Sequence, residues 1–150
     1  MSIETDINQP TFRSEYQKAI INLIYSYNWT TEQLKNIFGN ENLTMQQFNI
    51  LRILRGSDIP LSTLQIRERM LDKMSDTSRI VDRLILKELV KKITCKSDKR
   101  LVDVTITNKG KAVLAKLDTH EDAMENIIRS LTESEAKILN TLLDKMRSSQ

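Results

Sequence analysis

Ser75, Ser78, Arg79 and Arg83 fall on one side of a predicted helix, and Lys99 and Arg100 follow at the tip of a predicted hairpin. None of these residue types, so spaced, makes a catalytic constellation. Their common chemistry is recognition of a polyanion. Arginine can take guanine in two hydrogen bonds, and hydroxyls near a helix start can reach phosphates or bases. A basic hairpin tip can enter a neighbouring minor groove, where arginine responds to groove width more than to base identity. Ordinary pairing is the competing account. Arg79 and Arg83 have Asp76 and Asp82 within reach on the same helix, and such pairs contribute only about 0.2–0.5 kcal/mol each. Lys99 and Arg100 can likewise pair with Asp98 in a solvated turn. The joint placement of helix and charged hairpin favours nucleic acid.

Charge distribution points the same way. The 150 residues carry 23 basic and 20 acidic side chains, a net +3. Pro60 to Lys111 alone holds 13 basic and 7 acidic residues, a local +6, against −3 for the remainder. A cationic middle between acidic flanks attracts a polyanion. There is no glycine-rich phosphate loop, no nucleophile motif and a single histidine, His120, which argues against an enzyme. His120 is expected at the surface, since a zinc site needs more His or Cys ligands; no metal and no cofactor are expected. The lone Cys95 permits no internal disulfide and suits a reducing cytoplasm. Lys91, Lys92 and Lys96 near Cys95 would lower its pKa, the setting of an oxidant sensor, but a lone cysteine also reads as an ordinary strand residue. No apolar run stands behind a basic start, and none is long enough to span a bilayer, so a soluble cytoplasmic protein without membrane contact is expected.

The elements that position these residues follow from periodicity. Residues 1–11 are polar and expected to be a flexible tail. Phe12 to Phe38 runs without Gly or Pro and repeats Tyr16, Ile20, Leu23, Ile24 and Tyr27 at helical spacing, with Gly39 and Asn40 as its stop. Tyr25 and Trp29 on this helix would line an effector cavity or, more ordinarily, a core or interface. Thr44 with Gln47, Ser62 with Gln65, and Thr132 with Glu135 are capping boxes that open three further helices. A helix from about Asp76 to Lys87 turns Thr77, Ile80, Val81 and Leu84 inward and Asp76, Arg79, Asp82 and Arg83 outward. Val90 to Lys96 and Leu101 to Ile106 are β-branched runs around a polar loop, Ser97 to Arg100. Thr107 caps a long helix carrying Val113, Leu114, Leu117, Met124, Ile127 and Ile128, and the last helix carries Ile138, Leu139, Leu142, Leu143 and Met146. The expected fold is mainly α with a small β-hairpin wing. Two short helices followed at once by a basic hairpin outline a winged helix-turn-helix.

The segment Ser78-Arg-Ile-Val-Asp-Arg-Leu84 resembles the recognition-helix signature of MarR-family regulators. Leu89-Val90, Asp98-Lys99-Arg100, Val104 and Ile106-Thr-Asn-Lys-Gly110 keep the family's wing register without a gap, and Leu131 to Glu135 before an apolar helix resembles its C-terminal arm. The resemblance covers Phe12 to the end. It implies a single subunit over 12–150, with dimerisation arms at 12–43 and 112–150 and a winged DNA-binding domain at 44–111. It implies a homodimer on double-stranded palindromic operator DNA, typically a repressor released by a small-molecule or oxidant effector. Ser75, Thr77, Ser78, Arg79, Arg83, Asp98, Lys99 and Arg100 are then the candidate DNA-binding residues. Within that set Ser78, Arg79 and Arg83 would face the major groove, Asp98 would buttress the wing, and Arg100 would sit at the minor groove. A winged module that binds protein instead of DNA is the alternative, and it would want an apolar recognition face. Glu88 stands where the family usually has glycine, a position that often needs positive φ; Lys92 replaces the common arginine after the Leu-Val pair. Leu71 and Lys73 stand where the family favours a cap or a small residue, leaving Asp72 or Ser75 as candidate caps for the recognition helix.

Overall fold

The computed structural model describes residues 2–94 and 102–148. In chain order the elements are α1 (Ile3–Asp6), α2 (Glu15–Gly39), α3 (Met45–Arg55), β1 (Leu61–Ser62), α4 (Thr63–Arg69), α5 (Thr77–Leu86), β2 (Val90–Thr94), β3 (Val102–Ile106), α6 (Asn108–Asp118), α7 (Glu121–Asn126) and α8 (Glu133–Arg147). The predicted hairpin is present, with Val90 opposite Ile106, Lys92 opposite Val104 and Thr94 opposite Val102. A two-residue strand the sequence did not announce joins it: Leu61 pairs with Val104, giving a three-stranded antiparallel sheet in the order β1-β3-β2.

Local chemistry sets most helix starts. Thr44, Ser62 and Thr132 close reciprocal capping boxes with Gln47, Gln65 and Glu135, each satisfying amide groups that a helix end leaves unpaired. Thr107 caps α6 by accepting from the Gly110 amide at 3.1 Å. Helix α2 begins three residues later than expected, because the Ser14 hydroxyl accepts from the Gln17 amide and the Gln17 side chain accepts from the Arg13 amide. The N-terminal residues, expected to be a loose tail, form α1. Ile3 is buried, and Glu4 pairs with Lys18 of α2 at 2.6 Å. The Lys18 ammonium holds the Glu4 carboxyl down at about 2.

Two helices end in one motif. After α2, Gly39 is the last helical residue and Asn40 its cap, as expected, and Asn42 takes the left-handed conformation at φ 56°. The Leu43 amide then donates to the Phe38 carbonyl and the Asn42 amide to the Gly39 carbonyl, the paired bonds of a Schellman motif. After α5, Glu88 takes φ 61°, with Leu89 donating to Leu84 and Glu88 to Ile85. The expectation of positive φ at Glu88 is met by a residue poorly suited to it. Glu88→Gly is therefore expected to raise stability by about 1 kcal/mol, since an L-residue pays about 1–2 kcal/mol in this conformation and the extra freedom of unfolded glycine returns only part. Calorimetry should register a melting temperature higher by about 2–4 °C. A lower one would mean that the Glu88–Lys109 ion pair, 2.9 Å long, outweighs the backbone relief.

The long helix predicted after Thr107 is two helices. Thr119 bonds its hydroxyl to the Lys116 carbonyl at 2.6 Å, its amide turns to the same carbonyl, and His120 donates to Leu117. These tight i−3 bonds replace the regular ladder, and the chain restarts at Glu121.

One core joins the elements. Ile50, Leu51 and Leu54 of α3 meet Ile66 of α4, Val81 and Leu84 of α5, Val90 and Val104 of the sheet, and Leu114 and Leu117 of α6. Phe38 and Phe48 stack at 4.3 Å to close the α2–α3 corner. The amphipathic stripes of α2 and α8 lie outside this core. Tyr16, Ile20, Ile24 and Tyr27 of α2, and Ile138, Leu139, Leu142 and Met146 of α8, are all exposed.

Candidate nucleic-acid interface

Helix α4, the turn at residues 70–76 and helix α5 form the helix-turn-helix. The turn is built from its own polar side chains. Asp72 accepts from the Met74 amide at 3.0 Å, and Asn49, buried in α3, accepts from the Leu71 amide at 3.0 Å. The cap of α5 is neither Asp72 nor Ser75. Asp76 accepts from the Arg79 amide at 3.2 Å, so the helix starts at Thr77.

The two faces of α5 differ sharply. Val81 and Leu84 are buried, whereas Ser78, Arg79, Asp82 and Arg83 are exposed. Arg79 keeps a loose contact with Asp76, 3.6 Å between Nε and Oδ2, with its side chain 73% accessible. Asp82 pairs with neither arginine. It accepts from Lys92 of β2 at 2.8 Å, so Lys92 acts as a strut between α5 and the sheet. The Arg83 side chain has no hydrogen bond or ion pair among the described residues. Local pairing thus occupies Arg79 weakly and Arg83 not at all.

Two candidates stand apart from that surface. Thr77 is a correction: it is only 3% exposed and its hydroxyl is buried, because it shares the inward stripe with Val81 and Leu84. Ser75 is half-buried, and its hydroxyl also lies shielded from solvent without a partner among the described residues. Asp98, Lys99 and Arg100 of the wing tip, and Cys95, lie outside the described residues.

Residues outside the predicted DNA-contact set lock α5 in place. Lys87 donates to Gln47 at 3.1 Å and to the Asn42 carbonyl, tying the end of α5 to the α2–α3 corner. Thr107 donates through its hydroxyl to the Glu88 carbonyl at 2.7 Å and through its amide to Leu89 at 3.0 Å. The Lys109 ammonium holds the Glu88 carboxyl below the ordinary carboxylate range. Gly110 completes the joint: a Cβ there would fall 2.3 Å from the Leu89 carbonyl oxygen. The available signal was a glycine in the first turn of a helix, where it gives no propensity benefit. Among the described residues no cluster of His, Cys, Asp and Glu is arranged to hold a metal, and no helix is long and apolar enough to cross a membrane.

Comparison with known proteins agrees with this arrangement. A model of the MarR family matches residues 43–102. A MarR transcription factor from Planctomyces limnophilus is 30% identical, with 93% of this chain and all of that one covered, at a TM-score of 0.63. A mutant MarR from E. coli, solved in complex with operator DNA, is 24% identical over 83% of this chain and 91% of that one, at a TM-score of 0.74. BpsR of Bordetella bronchiseptica, whose DNA binding is regulated by 6-hydroxynicotinic acid, is 20% identical over 93% of this chain and 99% of that one, at a TM-score of 0.80. The helix-turn-helix of α4 and α5, the antiparallel wing beside it and a relative matched along its whole length place this chain in the MarR family of winged helix-turn-helix, DNA-binding transcription regulators, which are not enzymes.

Proposed function

We propose that the protein is a homodimeric repressor that binds a palindromic operator and is released by a small-molecule effector. The observation that carries this is the division of α5: one face is committed to the core, and the other holds Ser78, Arg79 and Arg83 in the open. A helix so divided fits the major groove. The minor-groove roles that the family resemblance implies for Asp98, Lys99 and Arg100 complete this reading, and those residues lie outside the described ones.

The dimer reading rests on the uncovered stripes of α2 and α8, within the arms at 12–43 and 112–150. Apolar surface of that extent on helices outside the core marks an interaction site, and a two-fold pairing of like surfaces covers both copies at once. A mutant E. coli MarR was solved bound to operator DNA, and control of DNA binding by a small organic acid is what BpsR exhibits. The oxidant branch depends on Cys95, which lies outside the described residues.

A salt titration tests the DNA reading. Duplex binding followed by fluorescence anisotropy should weaken with a slope of about −5 in log K against log salt if roughly six phosphates are neutralised. A slope near zero would overturn it in favour of a protein partner. Sedimentation of the free protein should give twice the chain mass.

A further inference from the structure

Leu64 and Met74 contradict the polar character of the surface that carries them. Leu64 is 63% and Met74 91% exposed, and neither belongs to the hydrophobic core. They are not scattered. Together with Arg67, Asp76 and Ser78 they line one shallow depression between the start of α4 and the start of α5. Met74 lies two residues before the α5 cap, on a turn whose backbone is fixed by Asp72 and Asn49. Two large apolar side chains are thus held at the leading end of α5, beside an exposed hydroxyl and a basic residue.

That end of a recognition helix is the one that meets base edges. The major groove offers nitrogen and oxygen atoms at every base pair and one apolar group, the 5-methyl of thymine. We infer that Leu64 and Met74 form an apolar reader of thymine methyl groups, adding preference for A·T pairs next to the base pairs that Ser78 and Arg79 approach. The inference rests on the duplex-binding reading and extends it to residues outside α5. Continuity with the cationic face selects DNA as the occupant, because any duplex seated on Ser78 and Arg79 brings its groove over Met74.

The test begins with selection of binding sites from a random duplex library by the unaltered protein. Each thymine of the enriched sequence is then replaced by deoxyuridine, which removes only the methyl group. At one thymine per half-site the replacement should weaken binding about four-fold, the effect of exposing one methyl group. In the double variant Leu64→Ala, Met74→Gln this penalty should vanish while the salt dependence is unchanged; Met74→Leu, which keeps the apolar contact, should retain it. The high exposure of both residues leaves the fold intact, as the melting temperature will verify. A selected site with no methyl-sensitive thymine, or a penalty that persists in the double variant, overturns the inference and leaves duplex binding standing. Enrichment of no sequence at all overturns the sequence-specific reading itself, and this inference with it.

Discussion

Gly110→Ala is expected to destabilise the protein by about 3 kcal/mol and lower its melting temperature by about 6–12 °C. The added Cβ would lie 2.3 Å from the Leu89 carbonyl oxygen and 2.8 Å from Cγ1 of Ile106. A flexible side chain could move aside, but the closest atom is backbone. Leu89 is held on both sides: its carbonyl accepts from the Thr107 amide, and its amide donates to Leu84 as part of the α5 terminus. The residue before it, Glu88, already occupies a left-handed conformation. Relief therefore requires α6 to lift away from the end of α5, which opens the core at Leu114 and Leu117. Urea or thermal unfolding of the variant decides the matter. A loss below about 1 kcal/mol, the cost of a tolerated core change, would mean that α6 does not press on Leu89.

Arg83→Ala is expected to weaken operator binding at least about thirty-fold, with Arg79→Ala somewhat less severe. A good bidentate arginine–guanine contact contributes about 1–3 kcal/mol, and a two-fold dimer loses it twice. Arg83 gives up no ion pair or hydrogen bond among the described residues to make that contact, whereas Arg79 must release Asp76 at 3.6 Å. Neither side chain supports the core, so melting temperatures should stay near the parent value. The pattern over sequences separates two roles. An arginine on a base edge loses discrimination between operator and scrambled duplex, while one on a phosphate weakens both equally and reduces the salt slope by about one per contact. Unchanged affinity in both variants would remove α5 as the reading element.

The parts of this structure that were legible in the sequence are the parts determined locally. A capping box closes within four residues, and all three predicted from Thr44, Ser62 and Thr132 are present. Alternation along Val102, Val104 and Ile106 placed the hairpin, whose pairing register came only with the structure. Helical spacing placed Arg79 and Arg83 on the face opposite Val81 and Leu84. What escaped depends on distant partners or on very short elements. Leu61–Ser62 is a strand only because Val104 and Asp103 lie beside it. The Asp82–Lys92 strut joins residues that no periodicity connects, and the Leu89–Gly110 approach is an encounter between two chain corners. The break at Thr119 and His120 was hidden because Leu117, Met124 and Ile127 continue a plausible apolar spacing across it, while the hydroxyl that ends α6 carries no apolar signal. The same spacing turned Thr77 inward, and it is buried, although its residue type had also made it a contact candidate.

That break also sets the mechanics of the molecule. Asp118, the last residue of α6, accepts from the two terminal guanidinium nitrogens of Arg55 at 2.7 and 3.1 Å, and Gly110 at the other end abuts the terminus of α5. Both ends of α6 are therefore tied down, and the regular helix ladder breaks immediately after it, which makes that break the natural place for a pivot. The 11 residues of α6 make a lever of about 16 Å at 1.5 Å per residue. A swing of about 10° at the pivot, a modest hinge motion, carries the far end about 3 Å, and in the proposed dimer both levers swing. On the proposed dimer reading, a change of angle at this break would move the two reading helices relative to successive major grooves without any contact to either of them.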